Sequence, residues 1–491
     1  MPYRAVPVSR RAVLRSAASF AGAAILGACG GEAVTVAPTV SGMNQGRTPS
    51  PMMAPTATIA AQSIAAATTA STAIPSVATT PVGAPALTLD PGKKITIEFW
   101  YSVVSSATLG AVHENIRRFN QTFPNVTVSE KNFSSYPELS TAVQAATAAK
   151  VPPALAGIGN NFLTYTIATF PHLTITEAAR RDPQGTAWLT DNFIPSILDV
   201  GKVNGVQHAM PLGISNPLLF YNKDLLRQVG LDQPPQTWVE IAETARRTTA
   251  QSKGISLAIR DNGSLWDYQA LMESNGARIL SGSGTEVRVG LDSPEAIEAM
   301  QLVADMALKD KTTAPIAASE MQPAFFSGKL AMLVDSSSNI ANYKQNARVP
   351  FGTAMFPTFG QKPRRVPAGG QSVFIFATDP TQQAAAWEFL KSFNSPESLT
   401  SWHTSINYLP ARKGLVDDPR YLKPVFGDEP LFKPALDEIP DVVPWISWPG
   451  KNGLQADKEA FDVVGRVLSG TQDVPTALKE VTQRVNQLIR E

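Results

Sequence analysis

This chain of 491 residues has one cysteine and four histidines. A single cysteine excludes an intramolecular disulfide framework, and four scattered histidines leave no cluster with metal-ligand spacing. His113 is followed by Glu114, but no second histidine lies four residues on, so the helical zinc motif is missing. Equally absent are a glycine-rich phosphate loop, a dinucleotide fingerprint and a GxSxG nucleophile elbow. Forty-two Lys and Arg against 41 Asp and Glu leave neither a basic surplus for nucleic acid nor a charged tail. Carboxylates are plentiful, yet nothing in the sequence pairs two of them as glycoside hydrolysis needs. These absences predict no catalytic residue, no metal, no cofactor and no nucleic-acid partner.

What is present begins with a leader. Arg4, Arg10, Arg11 and Arg15 form a positive segment ahead of a short apolar run, Ala17 to Ala28. That run is shorter than the about 20 residues a bilayer span requires. Ser9-Arg10-Arg11-Ala12-Val13-Leu14-Arg15 resembles a twin-arginine export signal, and Leu26-Gly27-Ala28-Cys29 resembles a lipobox. Residues 1–29 are therefore expected to be a lipoprotein signal peptide, with Cys29 diacylated. Two acyl chains give a stable anchor to the outer face of the cytoplasmic membrane. From Ala33 to Leu89 the only charged side chain is Arg47, and Ala, Thr, Pro and Ser dominate. Such a stretch has too little apolar surface to offset the entropy of ordering. Residues 30–92 are expected to be a disordered tether and 93–491 the folded body.

That body is too long for one ordinary core, which predicts two lobes. Ile95 to Trp100 and Val126 to Val128 read as strands, with Leu109, Val112, Ile116 and Phe119 at helical spacing between them. A helix from Pro137 to Ala149 and a strand from Ala154 to Ile158 follow. Pro217 to Tyr221, Ile255 to Ile259, Leu330 to Val334 and Ser372 to Ala377 read as further strands. Helices are expected at Trp238 to Thr248, at Asp267 to Ser274 and after a Ser293-Pro294 cap. Strand–helix alternation predicts parallel, doubly wound sheets in an α/β fold.

Aromatic and small polar residues gather beside the turns, and here the chain resembles a known family. Leu219-Phe220-Tyr221-Asn222-Lys223-Asp224-Leu225-Leu226, then Gly230-Leu231-Asp232, Pro234-Pro235 and Thr237-Trp238, resemble a signature of the family 1 extracellular solute-binding proteins of ABC importers. Phe325 to Met332, Ala368 to Ser372 and Asn407-Tyr408-Leu409-Pro410 match further segments of it. The resemblance implies a two-lobed periplasmic-binding-protein fold, each lobe a sheet flanked by helices, with the ligand cleft between. Lobe 1 is expected at about 93–210 and 326–376 and lobe 2 at about 211–325 and 377–491, with crossings near Pro211 to Ser215, Pro323 and Ala377. It further implies no enzymatic activity, a small-molecule solute, an ABC permease as partner, and a monomer.

The nearest branch binds glycerol 3-phosphate. By motif match its ligand contacts correspond to Tyr136, Ser215, Trp266, Ser336, Ser337, Gly369, Gly370 and Tyr408. The chain departs from that branch twice. Asn160 stands where the branch has a glutamate, and Trp448-Pro449-Gly450-Lys451 stands where it has an arginine. Trp448 and Lys451 are expected at the cleft, with Lys451 supplying the charge for a phosphate. Glycerol 3-phosphate or a glycerophosphodiester is the expected ligand, and a neutral sugar or oligosaccharide the alternative. An anchored hydrolase and an adhesive lipoprotein are the readings from other classes. If Cys29 carries the anchor, Cys29→Ala should move the protein from the membrane fraction to the soluble fraction; an unchanged partition in detergent-phase separation would remove the lipid from the account.

Overall fold

The computed structural model describes residues 85–491 apart from 104, 253, 255, 261–262, 283–285 and 314–317. The leader, Cys29 and most of the expected tether lie outside the described residues. The end of that tether does not behave as expected: Leu87 is buried and its N–H donates to the Arg181 carbonyl at 3.0 Å. Ordered packing thus begins before residue 93: Leu89 also packs on the core, and Arg181 Nε donates to Pro85 O at 2.9 Å.

Ile95, Ile97 and Phe99 point inward from Ile95–Ser102 (β1), the two-residue alternation of a strand with one face on a core. Ser105 caps Ser106–Thr122 (α1) by accepting from the Thr108 N–H, and Val112, Ile116 and Phe119 bury its inner face. Val126–Phe133 (β2) pairs parallel with β1 along its whole length. Tyr136–Ala148 (α2), also serine-capped, leads to Leu155–Gly159 (β3), in which all five residues are buried. Met210–Pro211 (β4) ends this part of the chain.

The second sheet begins with Pro217–Asn222 (β5), followed by Trp238–Ser252 (α3), Leu257–Ile259 (β6), Trp266–Ser274 (α4) and Pro294–Leu308 (α5). Met332–Ser336 (β7) and Phe351–Met355 (β8) complete it, in the order β8-β5-β7-β6. Gln371–Ile375 (β9) then returns to the first sheet, whose order is β2-β1-β3-β9-β4. Pro380–Phe393 (α6) and Pro396–Ile406 (α7) pack on β1 and α1, while Gly453–Leu468 (α8) and Val474–Leu488 (α9) pack with α5.

Three expectations are corrected. The sheets are mixed, not parallel: β9 runs antiparallel to both β3 and β4, and β5 runs antiparallel to both β7 and β8. Residues 326–376 do not stay with the first lobe, since β7 and β8 hydrogen-bond to β5, and α6 packs on β1 rather than in the second lobe. The crossings lie at 211–217 and 367–371, with a later one in the stretch leading to 442–448. Pro323 instead sits inside the helix Ala318–Phe326, and Ala377 follows β9. The β5 side chains serve two cores, Leu218 and Phe220 facing one and Leu219 the other.

Histidine burial gives this fold an acid limit. Desolvation pushes His403 down to about 3 and His208 to about 4, the latter also repelled by His172. Phe170 O can only accept, so His172 donates to it from Nδ1 (2.8 Å) and accepts from His208 Nδ1 at Nε2 (2.8 Å), with both rings neutral. Unfolded histidines titrate near 6.5. The folded chain therefore binds fewer protons below that value, and stability present above pH 6.5 is lost as pH falls towards 3–4. Between pH 6.5 and 5 His403 and His208 should each remove about 2 kcal/mol. Melting curves of wild type and His403→Gln at pH 7 and pH 5 check this. The variant should lose less melting temperature over the interval, and equal losses would contradict the assignment.

Candidate functional site

The crossing strands lie side by side and form the floor of a junction between the two sheets. Ser215 and Gly369 form an antiparallel bridge with N–H to O distances of 3.0 and 2.8 Å, and Ile214 bridges Leu409. Gly369 is glycine for lack of room: a Cβ there would lie 2.6 Å from Ser215 Oγ and 2.9 Å from the Trp266 ring. Gly370 adopts φ +122°, which L side chains avoid, and a Cβ would come within 3.1 Å of the Tyr408 ring.

One wall belongs to the first sheet. Tyr136 opens α2 and its hydroxyl lies 3.1 Å from that of Tyr408, which follows α7. Burial pushes both phenols up, so each stays neutral and able to donate or accept.

The facing wall comes from the second sheet. Arg260 follows β6 with its guanidinium 4.7 Å from the ring centre of Trp266, the first residue of α4. Its Nε lies 3.3 Å from both Asp267 Oδ2 and Asp335 Oδ1. Burial pushes Asp267 up to about 7, with Arg260 opposing and Asp335 reinforcing the shift. Ser336 and Ser338 hydroxyls sit 2.8 Å apart beyond β7. The Trp266 indole N–H is buried without a hydrogen-bond partner among the described residues, and half-buried Trp445 stands 6.1 Å away. Aromatic faces, hydroxyls, backbone amides and one guanidinium are thus brought together, a set suited to the C–H faces and oxygens of a small polyol.

Of the expected site residues, Tyr136, Ser215, Trp266, Ser336, Gly369, Gly370 and Tyr408 meet at this junction. Ser337 is adjacent, but its hydroxyl accepts from the Asn216 N–H at 3.1 Å and its own N–H donates to Asn216 O at 2.9 Å. Asn160 is buried in structural bonds: Nδ2 donates to Ala368 O at 3.2 Å and Oδ1 accepts from Ser372 at 2.8 Å. Trp448 is buried in the second core beside Asp457 rather than lining the floor.

Lys451 does not reach the junction. Gly450, at φ +83°, turns the chain against Ile489, and Asn452 donates to Leu488 O, leaving Lys451 exposed beside the C-terminal helix. The cation at the junction is instead Arg260, which motif matching missed. Its signal was positional: it stands at the carboxyl end of a short apolar strand, where open α/β sheets place ligands. Among the described residues no group of three or more His, Cys, Asp or Glu is arranged to hold a metal, and no helix is long and apolar enough to cross a membrane.

Comparison with known proteins follows the same lines. The model of a family described as bacterial extracellular solute-binding proteins matches residues 114–430. The chain is 25% identical over 417 residues to the sn-glycerol-3-phosphate-binding periplasmic protein UgpB of Rhizobium meliloti (strain 1021), covering 79% of this chain and 93% of that one. UgpB from Mycobacterium tuberculosis, solved in complex with glycerophosphocholine, superposes with a TM-score of 0.68 at 22% identity, covering 80% of this chain and 98% of that one. The cyclic alpha-maltosyl-1,6-maltose binding protein from Arthrobacter globiformis gives the same TM-score at 20% identity, covering 80% and 99%. At such identities these two structures speak for the fold alone, and both are similar to this chain over nearly their whole length.

The close approach at the floor is testable. Gly369→Ala must displace either Ser215 Oγ or the Trp266 ring, an overpacking of about 1–3 kcal/mol. Solute affinity should fall at least tenfold by calorimetry; retained affinity would mean that the floor where Gly369 meets Ser215 and Trp266 does not shape the binding cleft.

Proposed function

The chain belongs to the bacterial extracellular solute-binding proteins, and from that premise we propose that the solute it carries to its ABC importer is a small glycerol phosphate ester, glycerol 3-phosphate or a glycerophosphodiester. The observation that carries this reading is the Arg260–Trp266 pair facing Tyr136 and Tyr408 across the glycine floor. The aromatic faces suit the carbon skeleton, the Ser215, Ser336 and Ser338 hydroxyls suit its oxygens, and the guanidinium suits a phosphate. Similarity to proteins whose names specify glycerol 3-phosphate supports the same class.

Such a protein acts by binding, without turnover. Solute touching both walls binds the closed arrangement of the lobes better than the open one and shifts the population towards it. The closed form is what a permease in the membrane receives. In this account the mature chain is a monomer held outside the cytoplasmic membrane by the lipid on Cys29, and the Ala/Thr/Pro-rich tether sets its reach.

A thermal-shift series with glycerol 3-phosphate, glycerophosphodiesters and maltose tests the ligand class. An ester at a hundred times its dissociation constant should add about 2.7 kcal/mol of stability. Stabilisation by maltose or other neutral oligosaccharides alone would replace the ester with a sugar, and turnover of any ester would overturn the binding role.

A further inference from the structure

With Lys451 on the outer surface, the phosphate-ester reading requires another side chain to meet the anion. We propose that Arg260 is the anion anchor of this cleft, with Asp267 and Asp335 as its positioning residues and the Trp266 ring as its backing. The inference rests on the phosphate-ester reading and adds to it the residue that selects for the charged group.

The geometry separates the three charges. The Asp267 and Asp335 side chains are 0% and 1% exposed, whereas a fifth of Arg260 remains accessible. The carboxylates therefore face inward and the guanidinium is the charged group that an entering solute meets. Both contacts use Nε, and the guanidinium carbon lies over the Trp266 ring at 4.7 Å, so two carboxylates and an aromatic face hold the group in place. Asp335 has little capacity left to compete for a solute's hydroxyls. It already accepts from Ser336 N (2.7 Å), Asn339 (2.9 Å), Gln322 (2.9 Å) and the Tyr343 hydroxyl (2.9 Å).

Position supports the role. Among the described residues, the groups that face Arg260 are Asp267 on α4, Asp335 on β7, the Tyr343 hydroxyl, and Tyr408 on the opposite wall. An anion on Arg260 thus sits at the end of β7, where Asp335 adjoins Ser336, and within the field felt by Tyr408. This placement differs from that of the late-loop arginine implied by the family resemblance, and it explains how the chain does without one. It also makes the balance of charge adjustable. Two carboxylates stand against one guanidinium, so neutralising Asp267 without changing its shape should strengthen the pull on an anion and leave a neutral solute unaffected.

Calorimetric titration of the full chain at pH 8 with glycerol 3-phosphate, glycerophosphocholine and maltose decides it, with melting temperature recorded for every variant. Arg260→Gln should weaken the phosphate esters at least a hundredfold, and Arg260→Lys at least tenfold through loss of the planar fork. Asp267→Asn should tighten the esters about threefold to tenfold without altering maltose binding, which a merely structural role would not produce. Lys451→Gln should leave ester affinity unchanged. Should Arg260→Gln fail to fold, Arg260→Lys and Asp267→Asn carry the test. Esters that bind wild type but keep their affinity within twofold in both of those variants would overturn Arg260 and leave the ester reading intact. Binding of maltose alone by wild type would overturn both.

Discussion

A carboxylate buried at the end of a strand has to find hydrogen-bond donors on every side, and much of the binding junction depends on how Asp335 does so. One oxygen receives the Ser336 N–H and the Asn339 amide and lies 3.3 Å from Arg260 Nε, and the other receives Gln322 and the Tyr343 hydroxyl. Meeting that demand shapes the Ser336–Ser338 turn, seats the short helix Ile340–Asn346 through Tyr343, and aims Arg260 across the cleft. Removing one partner leaves a buried charge short of a donor, which costs several kcal/mol. The network is therefore close to all-or-none, and rigidity at the site follows from it.

A second buried carboxylate secures the crossing itself. Glu438 accepts from the Asn216 amide at 2.8 Å and from the Phe356 N–H, with Arg364 at 3.7 Å. Burial raises its proton affinity well above the ordinary carboxylate range, while these partners pull the other way. Asn216 is thus gripped by Glu438 on one side and by Ser337 on the other, one residue from the Ser215–Gly369 bridge. The walls are built on fixed networks and the floor on paired strands, so motion between the lobes is confined to a few crossing residues.

Periodicity made the elements legible more readily than their arrangement. Ile95, Ile97 and Phe99 alternate, and Val112, Ile116 and Phe119 recur at helical spacing; both segments form the elements those patterns predict. The apolar run at Met332–Ser336 carries no mark of its pairing partner, and so its placement in the second sheet and the antiparallel direction of β9 were invisible. The site shows the same division. Tyr136, Trp266, Gly369, Gly370 and Tyr408 followed from motif resemblance. Asn160 and Lys451 are placed by one neighbouring hydroxyl and one left-handed glycine, neither apparent in the motif. Arg260 went unnoticed because no motif carries it and its place at the end of a short apolar strand was its one mark, and Leu87 because tether-like composition hides the few side chains that dock.

The position of β9 has a consequence for how the molecule is assembled. It lies between β3 and β4, yet it leaves the ribosome only after the whole second sheet. Until then the five buried residues of β3 present an unpaired edge, the kind of surface that templates association between chains. The first sheet therefore cannot mature first and wait for the second. The first sheet is finished last, and a chain cut anywhere before residue 371 keeps an open apolar edge in place of a smaller working lobe.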